Sequence, residues 1–316
     1  MNPSETHSSH FPLVSVVVAT YNGALFLRGQ LDSIFGQTYP NFEVVIVDDA
    51  SKDGTLAILD YYETMHPNVR VFKAEENLGF RKNFEKGMLL CKGEYIALSD
   101  QDDIWLPEKI STLMRERGDH ALIYCNSELI DAEGNRLGVK LTDLKNLLSF
   151  ASPLNYVVGG TASGHAMIIK KDVAQQSLPV PEMVTHDYWI GFVATFTSPL
   201  KFVDQALVLY RQHGGNVIGV NSGNARATKK RKVTSQERHA LIRQRMKLMY
   251  EKCPDDQTEI KKVFYSLDKS YQNFSLRNNF TRMMIFFKYR KEITAYKKRS
   301  ELRRWLFCLK MFYKIE

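Results

Sequence analysis

Val14–Ala19 reads VSVVVA, a β-branched apolar run that predicts a strand buried on both faces. Asn22 and Gly23 break it. Ala24–Phe35 then sets Leu27, Leu31, Ile34 and Phe35 on one face of a predicted helix. The alternation repeats. FEVVIVDD predicts a second strand, and SKDGTLAILDYYETM predicts a helix that Ser51 or Asp53 would cap. NVRVFKAE, RKNFEKGMLLC and EYIALSD predict strand, helix and strand. Pro107 opens a further helix at a position proline tolerates, and HALIYCN is one more strand. Strands and helices in this order build an α/β fold, a doubly wound, mostly parallel sheet flanked by helices with right-handed crossovers. No internal repeat is visible.

From about Leu141 the pattern loosens. GHAMIIKKDVAQQ predicts strand then helix, HDYWIGFVATF an amphipathic helix, and KFVDQALVLYRQH a closing pair of strands. Beyond Asn224 the chain reads as helical and basic. The expected division is an α/β part over 1–224 and a basic helical extension over 225–316.

Composition sharpens this in three ways. With 316 residues and 44% hydrophobic content, the chain can build a real core as one large domain or two ordinary ones. Its four cysteines (Cys91, Cys125, Cys253, Cys308) lack CxxC spacing, which argues against a zinc site or disulfide framework and fits a reducing cytoplasm. The net charge of +8 conceals a split: residues 225–316 hold 25 Lys and Arg against 9 Asp and Glu, and residues 1–224 hold 18 against 26. The N-terminal stretch carries no signal-peptide pattern. MMIFF and WLFCL are too short to span a bilayer.

Ligands of open α/β sheets gather beyond the C-terminal ends of the strands. Polar clusters fall at three such ends: Thr20, Tyr21 and Asn22; Asp48 and Asp49; and Asp100, Asp102 and Asp103. Carboxylates there can simply cap the next helix, which suffices for Asp53 or Asp103 alone. Two strands each ending in a run of aspartates need more. A divalent cation, Mg²⁺ or Mn²⁺, would relieve the repulsion, and Asp-x-Asp spacing lets Asp100 and Asp102 reach one ion together with a diphosphate. Asp48 or Asp49 would suit a ribose hydroxyl or a base as acceptor groups. No GxxxxGK[ST] or GxGxxG loop follows the first strand, which disfavours a P-loop ATPase or a dehydrogenase.

VSVVVATYNG, VVIVDDASKDGT, NLGFRKNFEKG and YIALSDQDDIWLPEKI, in this order, resemble the family 2 glycosyltransferases of the GT-A fold, over roughly residues 13–215. The resemblance implies transfer of a sugar from a nucleoside diphosphate donor, usually with inversion. It implies nucleotide-sugar contacts at Thr20, Tyr21, Asn22, Asp48, Asp49, Asn77, Arg81, Asp100 and Arg211. It implies a metal held by Asp100 and Asp102, with His213 of YRQHGGNVIG on diphosphate or metal. Asp187 of THDYWIGFVA is the implied catalytic base, a carboxylate that takes the acceptor's proton; Thr185 is the alternative cap for that helix. GGTASGHAM is expected as the acceptor floor through Gly160 and Thr161, with Trp189 beside it. Trp105 and Trp189 suit either sugar stacking or the core. YRQHGGNVIG is similar to family members that transfer rhamnose in bacterial surface polysaccharide assembly, so dTDP-rhamnose is the expected donor and a UDP-hexose the next. A sugar-phosphate nucleotidyltransferase is the second enzyme class, and a non-catalytic sugar-nucleotide binder the third reading.

The basic extension interleaves KKRK, RQRMK, KYRK and KKRSELRRW with aromatic residues. Because the body is acidic, nucleic acid is not the expected partner. An anionic membrane surface bearing a lipid-linked saccharide acceptor fits, as does a helical cap that mediates a homodimer.

Overall fold

The computed structural model describes residues 11–160, 162–214 and 234–313. Among the described residues nine strands form one sheet: β1 (Val14–Thr20), β2 (Phe42–Asp48), β3 (Val69–Lys73), β4 (Tyr95–Ser99), β5 (Ile104–Trp105), β6 (Leu122–Ile130), β7 (Arg136–Lys140), β8 (Met167–Lys170) and β9 (Lys201–Arg211). Their order is β3-β2-β1-β4-β8-β6-β9-β5, with β7 beside β6. The first four are mutually parallel. β8 inserts antiparallel between β4 and β6, and β5 runs antiparallel to β9. The sheet is therefore mixed and mostly parallel.

The expected closing pair of strands is instead the single strand β9. It follows β6 in parallel for the length of both, with register shifts between Cys125 and Ser127. Such irregularities let one strand bend where a turn would otherwise be needed.

Helices α1 (Leu27–Phe35), α2 (Thr55–Met65), α3 (Phe80–Leu90), α4 (Lys109–Glu116), α5 (Leu141–Leu144), α6 (Lys171–Gln176) and α7 (His186–Ala194) flank the sheet. Alternation along β1 sorts them. Val14, Val16 and Val18 join Leu27, Leu31 and Ile34 of α1, Leu59 of α2 and Leu113 of α4 in one core. Val17 turns to the other face with Phe84 and Met88 of α3. Gly87 is what lets α3 lie so close, since a Cβ there would stand 2.3 Å from Val17 Cγ1.

Five further helices complete the chain: α8 (Ser235–Lys252), α9 (Thr258–Tyr271), α10 (Leu276–Lys288), α11 (Arg290–Ile293) and α12 (Glu301–Tyr313). Met246, Met249, Phe264, Phe286 and Met311 belong to the same core as Ile190 and Phe192 of α7. The Phe192 and Phe264 rings lie 5.7 Å apart. Arg282, fully buried, fastens three of these helices. It donates to the carbonyls of Met311 at 3.0 Å and Ser270 at 2.6 Å, and to Asn279 Oδ1 at 2.8 Å. One of the basic residues of the extension is thus a structural staple and contributes no surface charge.

Phe264→Ala empties a fully buried site between α9 and α7. A loss of about 3–5 kcal/mol is expected from urea unfolding. It should be seen equally by far-ultraviolet dichroism and by fluorescence of the buried Trp189, which shares this core.

Candidate functional site

The loop Asp100–Asp103 leaves β4 between the ends of β1 and β9. Its three carboxylates differ sharply in exposure: 42% for the Asp100 side chain, 15% for Asp102 and 0% for Asp103. Each end of the loop is tied to sequence far away. Gln101, the middle residue of Asp-x-Asp, accepts from the Tyr21 N–H at 2.9 Å and donates to the Tyr21 carbonyl at 3.1 Å. From β9, the Arg211 N–H donates to Asp103 Oδ1 at 3.0 Å, and its Nε to the Asp102 carbonyl at 2.8 Å.

Lys109 lies beneath this loop, fully buried at the start of α4. Its Nζ donates to the His165 carbonyl at 2.6 Å and sits 3.1 Å from the centre of the Trp105 ring. Burial pulls its pKa down to about 7, against the opposing pull of Cys125, Asp103 and Asp100. Trp105 is consequently a core residue facing a buried ammonium, which settles the choice between sugar stacking and core. Asp103 is held well above the carboxylate range by burial and by the charges of Asp102 and Asp100.

A cleft of about 570 Å³ opens over the loop, a size suited to a small-molecule ligand. Thr20, Tyr21, Asp49, Asn77, Asp100, Asp102, Asp187 and His213 all line it. Asp49 also orders the wall, its two carboxylate oxygens accepting from the N–H groups of Leu78 at 2.9 Å and Gly79 at 2.8 Å. Gly79 has φ 87°, a conformation that favours glycine. His213 Nε2 lies 2.8 Å from Asp102 Oδ2, with its ring against Phe26. A wider hollow of about 670 Å³ lies near β6 and β9. Its charged walls include the Arg136–Glu128 ion pair, and it gathers none of these residues.

Other expected contacts fall outside the cleft wall. Asp48 is fully buried, and its oxygens are taken by Thr20 Oγ1 at 2.9 Å and by the Ser51 N–H and hydroxyl. It shapes the turn after β2 rather than facing a ligand. Asn22 (φ 47°) bridges to that turn, donating its N–H to Ser51 Oγ and accepting from the Lys52 N–H. Arg81 donates to the Glu182 carbonyl. The Arg211 guanidinium is turned inward to the carbonyls of Asp102, Asp131 and Ala132, so it anchors the acidic loop instead of pointing at a diphosphate. Trp189 is 4% exposed and packs on Phe192 one turn into α7, where the helix faces the core. Gly160 packs on the Tyr156 ring, where a Cβ would come within 2.9 Å. Thr161 lies outside the described residues.

Two histidines of the cleft escaped the sequence reading. His165 Nδ1 lies 3.9 Å from both Asp100 Oδ2 and Asp103 Oδ2, and its Nε2 is 2.9 Å from Ser127 Oγ. Burial, then the Lys109 and Lys145 charges, lower its pKa to about 3, so the imidazole is neutral. His186 stacks on Phe84 at 4.1 Å and is 7% exposed. Neither of its ring nitrogens has a partner among the described residues, although it sits beside Asp187 on the cleft wall. Motif spacing could have flagged both, one after a run of small residues and one preceding the aspartate; only burial reveals their roles.

The donor chemistry fits a hard divalent cation. Asp100, Asp103 and His165 offer ligand atoms within 4.8 Å of one another, while Asp102 and His213 lie 2.8 Å apart on the same cleft. Asp103 Oδ2 is buried without a hydrogen-bond partner, as expected of a carboxylate cluster short of positive charge.

The glycosyl transferase family 2 model matches residues 15–178, just over half of the chain. Proteins of several Rickettsia species, known as uncharacterized glycosyltransferases, are 29–30% identical over 64–65% of this chain; the match spans 31–66% of their own length. The dTDP-rhamnosyl transferase RfbG of Shigella flexneri is 28% identical over 65% of this chain and 74% of its own. Among solved structures, S. aureus TarS with UDP-GlcNAc superposes with a TM-score of 0.59 at 18% identity, covering 89% of this chain and 81% of TarS. The Pyrobaculum calidifontis mannosyltransferase PcManGT, with GDP-Man and Mn²⁺, gives 0.56 at 17% identity, covering 95% and 80%. These likenesses establish the GT-A fold. The chain belongs to glycosyl transferase family 2.

Proposed function

We propose that this chain transfers a sugar, with inversion, from a nucleoside diphosphate donor to a saccharide acceptor during bacterial surface polysaccharide synthesis. One observation carries the reading. A single cleft brings the Asp100–Asp102 pair into electrostatic reach of Asp187 from a different element. An inverting transfer needs those two functions, one site for the diphosphate and one carboxylate for the acceptor proton.

Asp102 and His213, together with the more exposed Asp100, would hold Mg²⁺ or Mn²⁺. When bound, the ion neutralises charge on the leaving diphosphate, so no acid is required on that side. The chain's own residues do the rest. Asp49 fixes the Asn77–Gly79 wall against which the nucleotide lies, and the half-exposed Tyr21 offers a ring to the base. Asp187, in the first turn of α7, accepts the proton of the attacking hydroxyl. His186 beside it has ring nitrogens to offer to sugar hydroxyls, which would satisfy groups otherwise buried at a cost. Rhamnose from dTDP-rhamnose is the donor favoured by the likeness to RfbG and by the YRQHGG segment. The acceptor is a lipid-linked saccharide, consistent with the basic extension.

Asp187→Asn is expected to lower kcat by about 10²–10⁴-fold while donor affinity measured by calorimetry is retained. Unchanged turnover would exclude Asp187 as the base.

Asp100 gives a pH signature. Desolvation first, then the charges of Asp102 and Asp187, push its pKa up to about 7. A carboxyl whose folded pKa exceeds the unfolded value of about 3.9 favours the native state at low pH, and that contribution is lost as pH rises through about 7. In chelator, Tm should therefore fall more steeply between these limits for the native protein than for Asp100→Asn. Adding Mn²⁺ should flatten the native curve, because a bound cation favours the carboxylate. Identical slopes with and without Mn²⁺ would count against a metal at this cluster.

A further inference from the structure

We propose that the outward faces of α10 and α12 form a docking surface for an anionic lipid bilayer. The inference is independent of the transfer chemistry, so either can fail alone.

α12 has two apolar faces. Phe307, Cys308 and Met311 are buried against the body. Leu302, Trp305, Leu306, Leu309 and Tyr313 recur at helical spacing on the opposite side and are 44–77% exposed. On α10, Leu276, Phe280 and Met284 stand four residues apart and are 48–75% exposed. The Phe287 and Trp305 rings, 4.9 Å apart, join the two stripes. Single exposed apolar side chains are ordinary, but two adjoining stripes of leucine and aromatic residues mark an interaction surface.

Charge identifies the partner. Residues 276–313 hold 11 Lys and Arg against 2 Asp and Glu. Arg277 and Lys288 on α10, Arg303 on α12 and Lys297 and Lys298 between them are exposed. A second copy of the chain meeting this face would bring like charges together, which disfavours a homodimer. A nucleic acid would satisfy the basic side chains and leave the leucines in water. A bilayer with anionic headgroups accepts both, the stripes entering the acyl boundary and the basic flanks lying at headgroup level. Among the described residues no helix is long and apolar enough to cross a membrane, so these helices would lie on the surface.

Trp305 is the built-in probe. Of the three tryptophans, Trp105 and Trp189 are 2% and 4% exposed and Trp305 is 47% exposed. The full chain, titrated with phosphatidylcholine vesicles containing phosphatidylglycerol, should show blue-shifted tryptophan emission and should float with the vesicles. Pure phosphatidylcholine and high salt should suppress both. Leu306→Glu with Leu309→Glu should abolish binding, and Arg277→Glu with Arg303→Glu, which leaves the apolar stripe intact, should weaken it. Both variants should keep the native Tm and the native rate of donor turnover. The proposal is overturned if vesicles give no shift, if neutral vesicles bind equally, or if the shift occurs without lipid and tracks a dimer by light scattering that Leu306→Glu dissolves.

Discussion

Three aspartates within four positions, at the end of a buried strand, is the constraint around which this molecule is arranged. Left alone, Asp100, Asp102 and Asp103 would repel, and burying even one of them unpaired costs several kcal/mol, on the order of an ion's desolvation penalty. The protein answers with fixed donors drawn from distant sequence. The Arg211 N–H serves Asp103, the Arg211 guanidinium clamps backbone carbonyls on either side, Gln101 locks the loop to Tyr21, and Lys109 lies underneath. These contacts hold the loop's shape but leave much of its charge uncompensated. Asp100 and Asp103 both have raised pKa values, through desolvation first and then through the charges of their neighbouring aspartates. A cluster of this kind opening onto a cleft is what the proposed cation would compensate.

Local pattern made the first half of the fold legible. The β-branched runs of β1 and β2 lie inside the parallel part of the sheet, because such runs can be this apolar only when both faces are covered. The strands after β4 were less readable because their pairing is nonlocal. Nothing in MIIK says that β8 will insert antiparallel between β4 and β6, and nothing in KFVDQALVLYR says that register shifts will keep it one strand. The rim itself could be anticipated from strand ends. Which side chains turn toward it could not, since residue type gives no direction. Arg211 and Asp48 carry the right chemistry for a diphosphate or a ribose, yet both spend it on the protein's own backbone and turns.

The histidines and Lys109 illustrate the converse. In sequence, Lys109 is a charged residue at a helix start, a position usually solvated. Here it is enclosed by an indole face and a carbonyl, and its burial depends on Trp105 being core. His165 reaches Asp100 and Asp103 only because β8 pairs with β4, which carries its loop over the acidic turn. His186 precedes Asp187 on a helix start, so any residue that orients α7 orients both. The groups around the cleft are therefore positioned by sheet order, and single-element reasoning finds the aspartates while missing what surrounds them.

The split of charge along the chain then has a physical reading that counting alone does not supply. The acidic and basic parts share one apolar core through α7, α8 and α9, and part of the basic content, Arg282, is consumed inside it. An anion approaching the cleft meets negative charge and needs a tightly held counter-ion at a fixed place. An anionic surface approaching α10 and α12 meets several exposed basic side chains spread over both helices and needs no single fixed point. The two attractions should respond to salt in opposite degree. Exposed charges are screened beyond about 8 Å at physiological ionic strength, whereas a cation held within the cleft would be screened much less. The two proposed attractions thus differ in kind, one resting on coordination at a fixed point and the other on diffuse charge.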